Sequence, residues 1–200
     1  MGRRALRKVE PSLDLSGHFK TLDELPRPWD AQALFGRDAP LEVEIGSGKG
    51  PFLRTAAAAR PDVNFLGIEI APRYARFAAA GLAKRNLANA MMVAGDAGPL
   101  FRDLLPEASL AAIHVYFPDP WWKTRHRKRK LFTADFAREV ARVLEPGGKL
   151  HFVTDVEEYF RETMSMMRQL GILTLLPVPE RFEGRAGEYL TNFERKYRAE

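Results

Sequence analysis

The sequence predicts an α/β fold: a doubly wound, mostly parallel sheet with helices on both faces. Three observations favour it. Short apolar runs of strand length alternate with segments of helical period, a glycine-rich loop follows the first run, and acidic residues follow several of the runs. Parallel strands joined by helices bring their carboxyl ends to one edge of the sheet, where ligands of such folds bind. Function is therefore expected at the strand ends.

The first half of the predicted domain contains two strand–helix units. Each unit starts with a short apolar strand and continues into a helix that begins at a proline, Pro51 or Pro72, a residue suited to the first helical turn. A glycine-rich loop ends the first strand, and an acidic residue, Glu69, ends the second. The predicted strands and helices alternate over residues 41–45, 51–60, 64–69 and 72–85.

The second half continues this alternation. The run over 110–117 is nearly all apolar, which is typical of a strand buried on both faces. The helix before Glu145-Pro146-Gly147-Gly148 is amphipathic, and those four residues form a strong stop signal. The predicted elements are strands over 90–94, 110–117 and 149–153 and helices over 133–144 and 156–170. Two further strands, near 172–176 and 188–197, complete a predicted sheet of seven strands.

The 200 residues are enough for one domain with a sizeable core. Residues 1–38 are rich in proline, arginine and aspartate and lack a sustained period, so they are predicted to be a basic, partly flexible N-terminal extension. Residues 39–200 are predicted to form the α/β domain. Hydrophobic residues make up 46% and charged residues 28% of the chain, which excludes a disordered or fibrous protein.

The residue composition also narrows the chemistry. The chain contains no cysteine, which excludes disulfides, cysteine-ligated zinc, iron–sulfur clusters and thiol nucleophiles, and no metal cofactor is predicted. No uncharged apolar run approaches the roughly eighteen residues that a membrane span needs, and the N-terminus lacks the apolar core of a signal peptide. We therefore expect a soluble, cytoplasmic protein.

Positive charge is concentrated in one segment. The chain has 31 lysine and arginine against 26 aspartate and glutamate residues, a net charge of +5. Residues 123–130 hold six of these cations and no acid, so the rest of the chain carries 25 against 26, a net charge of −1. A basic loop on a near-neutral domain indicates a polyanionic partner, nucleic acid or an anionic membrane surface, with a solvated loop as the alternative. A weaker basic cluster comprises Arg3, Arg4, Arg7 and Lys8.

The loop Glu44–Gly50, Glu-Ile-Gly-Ser-Gly-Lys-Gly, lets the backbone turn tightly and approach a ligand closely through its three glycines. The sequence of this loop does not match any of three familiar glycine-containing motifs. A Walker A loop needs serine or threonine after the lysine, a dinucleotide loop needs glycine where Pro51 stands, and a nucleophile elbow needs glycine where Ile45 stands. The remaining pattern, acid-x-G-x-G-x-G, resembles the first motif of Rossmann-like S-adenosylmethionine (SAM) methyltransferases. A plain strand-to-helix turn is the alternative.

Three acidic residues are expected to converge beside this loop. Glu44 lies on the first strand, Glu69 ends the second, and Asp96 follows the third. Glu69 could accept hydrogen bonds from both ribose hydroxyls of a nucleoside, and Asp96 could meet an adenine amine. Three carboxylates in one crevice repel one another unless a ligand with donors or positive charge lies between them, and SAM offers ribose hydroxyls, an amino group and a sulfonium. Singly, each acid could instead be a solvated surface residue.

The fourth strand runs into Pro118-Asp119-Pro120-Trp121-Trp122, directly before the basic segment. The two prolines restrict the backbone on either side of Asp119, which would hold its carboxylate where the transferred group lies. Trp121 and Trp122 could stack on a nucleobase or pack the loop against the sheet.

These motifs together resemble one family. Phe117-Pro118-Asp119-Pro120-Trp121, the basic run that follows and the glycine loop are similar to segments of the bacterial tRNA (guanine-N7-)-methyltransferases, over about residues 41–198. The resemblance implies a Rossmann-like SAM-dependent methyltransferase fold, with Asp119 as the catalytic residue. The SAM-binding residues that it implies are Glu44, Gly46, Gly48, Gly50, Glu69, Asp96 and Asp119. The implied substrate-binding residues are Lys123, Asp155, Thr191, Asn192, Phe193 and Glu194, and the implied RNA-contacting residues are Arg125, His126, Arg127, Lys128, Arg129 and Lys130.

The resemblance further implies methyl transfer from SAM to N7 of a guanosine in the tRNA variable loop, at tRNA position 46, with tRNA as the partner and no membrane partner. Three alternatives stay open: a non-catalytic RNA-binding protein that retains the fold, an NAD-dependent oxidoreductase and a small-molecule methyltransferase. The glycine spacing disfavours the oxidoreductase, and the small-molecule enzyme leaves the basic segment unexplained. The sequence does not distinguish a monomer from a homodimer.

Overall fold

The computed structural model describes residues 6–118 and 131–177. Within these residues, six strands form one sheet, and helices cover both of its faces, which confirms the predicted α/β class. The strands are β1 (Phe19–Thr21), β2 (Leu41–Ile45), β3 (Asn64–Glu69), β4 (Ala90–Ala94), β5 (Leu110–Tyr116) and β6 (Leu144–Val153). The helices are α1 (Ala31–Phe35), α2 (Pro51–Ala59), α3 (Pro72–Ala83), the single turn α4 (Ala97–Pro99), α5 (Ala134–Val143) and α6 (Glu157–Leu170).

The strands are ordered β1-β4-β3-β2-β5-β6, and every neighbouring pair is parallel. From β2 the chain adds β3 and β4 on one side and then returns to add β5 and β6 on the other. The order therefore reverses between β2 and β5, which is the switch point where open α/β sheets bind ligands. All carboxyl ends meet at one edge, called the carboxyl edge below, and the crevice between β2 and β5 opens there.

Two hydrophobic clusters hold the helices against the sheet. On one face, α2 and α3 pack onto the strands through residues that include Phe52 and Leu53, against Phe65 and Met92. On the other face, α5 and the turn after α4 pack onto β2, β3, β4 and β5. A Cβ on Gly67 of β3 would lie 2.2 Å from Leu53 Cδ1 of α2 and 2.6 Å from Met92 Sδ, so a larger residue there would displace buried side chains. This packing holds the loop between β2 and α2 at the carboxyl edge.

Most predicted elements form at the expected positions because their signals are local. Strands β2, β3 and β4 have the predicted bounds, and β5 ends one residue early, at Tyr116. Helices α2, α3, α5 and α6 begin and end within two residues of the prediction. Strand β6 is longer than predicted, because Leu144 pairs with Leu110 before the register shifts and pairing resumes between Lys149 and Ala112.

The predicted strand near 172–176 is wrong. Residues 172–177 form no strand, and Leu175 and Leu176 are 61% and 58% exposed. An apolar run becomes a strand only where it actually pairs with another strand, and among the described residues β6 pairs with β5 alone and makes no ladder with 172–177. The sheet of the described residues therefore has six strands rather than seven. The strand predicted over 188–197 lies outside these residues.

The N-terminal segment contributes structure that its sequence pattern does not predict. Strand β1 pairs with β4 through Phe19 and Met92 and forms an edge of the sheet. The Asp30 carboxylate caps α1 by accepting a hydrogen bond from the Ala33 N–H at 2.8 Å, and Leu34 of this helix is buried in the core. These elements are three and five residues long, too short for a periodic signal. The domain boundary after residue 38 stays a prediction.

Candidate active site

Three acidic side chains lie at neighbouring strand ends of the carboxyl edge. Glu44 lies on β2, Glu69 is the last residue of β3, and Asp96 follows β4 by two residues. Neighbouring strands run about 4.8 Å apart, so the order β4-β3-β2 places these residues side by side. The structure thus brings together, next to the switch point, the three acids that the sequence analysis singles out.

The loop between β2 and α2 contacts the end of β3. The Gly46 N–H donates a hydrogen bond to the Ile68 carbonyl at 2.8 Å. Gly46, Gly48 and Gly50 have φ angles of 75°, 54° and 67°, in the left-handed region where a side chain is strained. At Gly50, a Cβ would also lie 2.8 Å from the Cβ of Ala78 in α3. The backbone conformation therefore requires glycine at these positions, which leaves the main chain open to a ligand.

Glu69 holds this loop through both carboxylate oxygens. Oε2 accepts a hydrogen bond from the Gly48 N–H at 2.9 Å, and Oε1 accepts one from the Ala71 N–H at 2.9 Å. The sequence analysis expected Glu69 only as an acceptor for ribose hydroxyls. Because a carboxylate offers about four lone-pair positions, the two roles are compatible. Glu69 therefore ties the glycine loop to the start of α3 and retains capacity to accept from a ligand.

Glu44 is a buried acid with an unsatisfied oxygen. The residue is 5% exposed, and its Oε2 has no hydrogen-bond partner among the residues that the structure describes. Burial raises the pKa of Glu44 to about 8; a hydrogen bond with Ser47 opposes this shift, and the negative charge of Glu69 adds to it. A ligand with N–H groups or positive charge would supply the missing hydrogen bond and favour the ionised form. Such a perturbed carboxyl group at a crevice is typical of a functional site.

Asp96 and Asp155 are exposed at the same edge. Asp96 accepts a hydrogen bond from the Gly98 N–H at 2.9 Å and caps the short helix α4. Asp155 follows β6 by two residues, and β5 lies between β6 and β2. The structure therefore places Asp96 beside the strand of Glu69 and Asp155 on the opposite flank of the switch point.

The remaining predicted site residues lie outside the described residues. They are Asp119, Lys123, Arg125, His126, Arg127, Lys128, Arg129, Lys130, Thr191, Asn192, Phe193 and Glu194. The first described range, 6–118, ends one residue before Asp119, just beyond the carboxyl end of β5. There Phe117 has a positive φ of 51°, uncommon for a residue with a side chain, and its N–H donates to the Val153 carbonyl of β6 at 2.7 Å.

A buried polar network lies beside Glu44, and the sequence analysis missed it. The Arg60 guanidinium donates two hydrogen bonds to the Glu42 carboxylate, both at 2.7 Å. His114 Nε2 lies 2.9 Å from Oε2 of Glu42, and His114 Nδ1 lies 3.0 Å from the Tyr116 hydroxyl. The sequence did contain a signal for this network, namely ionisable residues within otherwise apolar strands. Glu42 and Glu44 are two residues apart on β2, and His114 interrupts the apolar β5. Because side chains alternate between faces, all three lie on one face of the sheet.

The network keeps Glu42 charged and His114 neutral. Burial alone would raise the pKa of Glu42, but hydrogen bonds from His114 and Arg60 outweigh it and lower that pKa from 4.5 to about 2. Burial also lowers the pKa of His114 below its ordinary value of 6.5, against the opposing effect of the Glu42 carboxylate. At neutral pH, Glu42 and Arg60 therefore form an ion pair, and His114 beside them carries no charge.

We expect the contribution of His114 and Glu42 to the free energy of unfolding to be lost as the pH is lowered from about 7 to about 3, whereas the raised pKa of Glu44 acts in the opposite direction above pH 4.5. His114 takes up a proton near pH 6.5 in the unfolded chain but only at lower pH in the fold, so its contribution to stability is lost as the pH falls below about 6.5. Glu42 acts in the same direction, because its contribution is complete above pH 4.5 and is lost between 4.5 and about 2. Urea titrations of the wild type and of His114→Gln across this range measure how the free energy of unfolding changes with pH in each protein. His114→Gln should flatten the upper part of this dependence, and an unchanged pH dependence in that variant would contradict the assignment.

Two other kinds of feature, a metal-binding group and a membrane-spanning helix, are not found among the described residues. Within residues 6–118 and 131–177, no three histidine, aspartate or glutamate side chains are grouped so that they could hold a metal ion. In the same part of the chain, no helix combines the length and the apolar character that crossing a membrane requires. The candidate site thus consists of the glycine loop and the strand-end acids.

Comparison with known proteins identifies the family. A family model described as "Putative methyltransferase" matches residues 38–200. The tRNA (guanine-N(7)-)-methyltransferase of Rhodopirellula baltica is 48% identical over 205 residues, which cover 99% of this chain and 76% of the relative. The chain belongs to the tRNA (guanine-N7-)-methyltransferase family. The resemblance predicted from the glycine loop and the Phe117–Trp121 motif is confirmed.

Two further tRNA (guanine-N(7)-)-methyltransferases are similar at lower identity. The protein of Sodalis glossinidius is 37% identical, over 87% of this chain and 73% of its own. The protein of Dechloromonas aromatica is 39% identical, over 85% of this chain and 69% of its own. The similarity of this family member to its relatives thus spans the predicted domain.

Solved structures support the fold of this family member. The aminoglycoside resistance methyltransferase NpmB1 matches with a TM-score of 0.52 at 22% identity, over 76% of this chain and 72% of that protein. An antibiotic-related methyltransferase also matches with a TM-score of 0.52, at 18% identity, over 70% of this chain and 72% of that protein. At these identities the similarity shows the fold alone, and that fold is the predicted Rossmann-like methyltransferase type.

Proposed function

We propose that this protein transfers a methyl group from SAM to N7 of a guanosine in the variable loop of tRNA, at tRNA position 46, giving 7-methylguanosine. The observation that carries the proposal is the 48% identity to a tRNA (guanine-N(7)-)-methyltransferase along 99% of the chain. The strand-end acids and the glycine loop support it, because they form a site at the edge where this fold binds ligands. Since tRNA is the proposed partner, the predicted cytoplasmic location belongs to the same proposal.

The residues at the carboxyl edge fit SAM. Oε2 of buried Glu44 has no hydrogen-bond donor among the described residues, and the amino group of SAM is a cationic donor. Glu69 would accept from the ribose hydroxyls and Asp96 from the adenine amine, while Gly46 and Gly48 would let the main chain approach the ligand closely. When bound, SAM supplies a methyl group on a positively charged sulfur. Binding of the cationic amino group would favour the ionised form of Glu44, which would then place a negative charge beside it.

The proposed acceptor atom needs no general base. Guanine N7 carries an in-plane lone pair and no proton, so the residues of the chain orient the reactants rather than remove a proton. Positive charge develops on the guanine during transfer, and a fixed carboxylate beside it would stabilise that charge. Asp119, flanked in sequence by Pro118 and Pro120, is the proposed catalytic carboxylate. Asp155 is proposed to hold the guanine edge by accepting from its N–H groups.

The other proposed contacts bind the tRNA away from the reacting atoms. Lys123 and the segment Thr191–Glu194 are the proposed substrate-binding residues, and Arg125–Lys130 is proposed to contact the RNA. Cationic side chains suit this role because they neutralise phosphates and release counterions. The target base has to leave its stacked position to reach the crevice.

Incubating the protein with bulk tRNA and SAM that carries a labelled methyl group tests this proposal. Labelled 7-methylguanosine in the digested tRNA is the expected product, and a tRNA without guanosine at position 46 should stay unlabelled. SAM binding without any label in tRNA would favour a small-molecule methyltransferase. Binding of tRNA without binding of SAM would favour the non-catalytic RNA-binding protein.

Replacing Asp119 by asparagine is expected to lower kcat for tRNA methylation more than about tenfold, or about 1.4 kcal/mol of transition-state stabilisation. Asparagine keeps the shape of the side chain but removes the charge that is proposed to face the cationic guanine. Single-turnover rates at saturating SAM and tRNA measure the effect. Asp62→Asn, at an exposed position before β3, is the matched control. A near-normal rate for Asp119→Asn would show that the carboxylate is structural.

A further inference from the structure

We propose that Tyr116 is a positioning residue for methyl transfer. A relay of hydrogen bonds that runs from Arg60 through Glu42 and His114 holds the Tyr116 side chain, and the relay thereby fixes the point where the chain leaves β5. The effect on the reaction rests on the proposed function. The relay itself rests on the hydrogen bonds of the described residues alone. In this role Tyr116 acts through the backbone that follows β5, without contacting the substrate.

The direction of each hydrogen bond follows from the chemistry of the members. Arg60 can only donate, so both Glu42 oxygens accept from it and the carboxylate is ionised. His114 Nε2, 2.9 Å from Glu42, then carries the hydrogen, which leaves Nδ1 as an acceptor. The Tyr116 hydroxyl, 3.0 Å from Nδ1, therefore donates to His114. With His114 neutral, as its lowered pKa favours, a single arrangement of hydrogens satisfies these contacts.

Glu42 and His114, in the middle of the relay, are buried, whereas Arg60 and Tyr116 at its ends are half-buried. Glu42 and His114 are 7% and 4% exposed. The His114 ring lies against Phe52, with centroids 4.5 Å apart, and stacks on His151 at 4.8 Å. His114 is also the register partner of Glu44 on β2. Removing one member of such a chain leaves a buried donor or acceptor without a partner, so the relay strongly favours one geometry.

The Tyr116 end of the relay adjoins a strained part of the backbone. Tyr116 is the last residue of β5, and its ring packs against Phe52 with centroids 5.1 Å apart. The next residue, Phe117, has a φ of 51°, and its N–H is bonded to Val153 of β6 at 2.7 Å. Strained residues persist where their surroundings over-determine them, and they cluster at functional sites. The relay and β6 thus set the direction of the chain two residues before Asp119 in the sequence.

Nitrogen-15 NMR of histidine-labelled protein tests the relay without reference to activity. We expect the His114 ring to show the Nε2–H tautomer in the wild type near neutral pH. In Glu42→Gln the side-chain amide can donate as well as accept, so the Nε2–H tautomer should no longer dominate. A wild-type His114 with the hydrogen on Nδ1 would overturn the relay.

Tyr116→Phe, with Tyr159→Phe as the matched control, tests the positioning role. Tyr159 is a buried tyrosine of α6 that packs against Phe152 on the other face of the sheet. We expect Tyr116→Phe to lower the single-turnover methylation rate at saturating SAM and tRNA about tenfold or more, with SAM affinity changed less than about twofold. Tyr159→Phe should keep a rate within about twofold of the wild type. Equal rates in Tyr116→Phe and the wild type, or equal losses in both variants, would overturn the role.

If the Tyr116→Phe protein is unstable, a second pair of variants tests the same positioning role. His114→Asn keeps an acceptor near the Nδ1 position for the Tyr116 hydroxyl, whereas His114→Gln does not, so the asparagine variant should methylate faster. Equal rates in the pair would overturn the positioning role. A wild type that does not methylate tRNA would remove the proposed function and the positioning role together, while the tautomer result would still support or overturn the relay.

Discussion

Replacing Glu44 by glutamine is expected to stabilise the ligand-free protein at alkaline pH and, in the same variant, to weaken SAM binding. Burial raises the pKa of Glu44 from 4.5 to about 8. A carboxyl group whose pKa is higher in the fold takes stability away as the pH rises from the unfolded value to the folded one. Ionisation of Glu44 therefore costs the wild type stability as the pH rises from 4.5 to about 8, whereas glutamine has no proton to lose.

Both effects are large enough to measure. Each unit of pKa difference corresponds to about 1.4 kcal/mol, so we expect Glu44→Gln to gain about 1–3 kcal/mol in the free energy of unfolding near pH 8 and little near pH 5. SAM affinity should fall about 10- to 100-fold, because the cationic amino group loses a charged acceptor. Urea titrations at the two pH values measure stability, and calorimetry measures affinity.

Glu107→Gln, at an exposed position before β5, is the matched control and should change neither quantity. Unchanged SAM affinity in a folded Glu44→Gln protein would remove Glu44 from the proposed site. A stability gain that does not grow with pH would contradict the raised pKa. The pairing of opposite effects in one variant is diagnostic, because a carboxyl group with only a structural role would change stability without changing SAM affinity.

Replacing the five cations Arg125, Arg127, Lys128, Arg129 and Lys130 by glutamine is expected to weaken tRNA binding on the order of 10³-fold near 0.15 M salt. Each lost phosphate contact should flatten the log–log salt dependence of binding by about 0.7–0.9, so five contacts remove roughly 3.5–4.5 from the slope. Fewer contacts would remove proportionately less. SAM affinity should not change, because the predicted SAM residues are left in place.

Titrating wild type and variant with tRNA at several salt concentrations measures both quantities. A control that replaces Arg138, Arg161 and Arg168 by glutamine removes exposed cations from α5 and α6, outside the basic segment. That control separates local phosphate contacts from a general change in net charge. Identical slopes for the wild type and the five-residue variant would show that the basic segment is a solvated loop.

Local signals were sufficient for most of the architecture and for the strand-end acids. Pro51 and Pro72 start α2 and α3 where predicted, and the apolar runs of β2, β3 and β4 have the predicted bounds. Once these strands are parallel, the acids that follow them have to share one edge. Glu44, Glu69 and Asp96 accordingly lie at neighbouring strand ends beside the switch point.

Contacts between distant parts of the chain determined the rest. Strand β1 forms because it pairs with the backbone of β4, whereas the apolar residues 172–177 pair with no strand among the described residues. The pKa of Glu44 is raised because the fold buries it next to Glu69. Glu42 and His114 are 72 residues apart in the chain and 2.9 Å apart in the fold. Propensity and periodicity describe neighbours along the chain, whereas burial and charge act through space between whichever residues the packed sheet brings together.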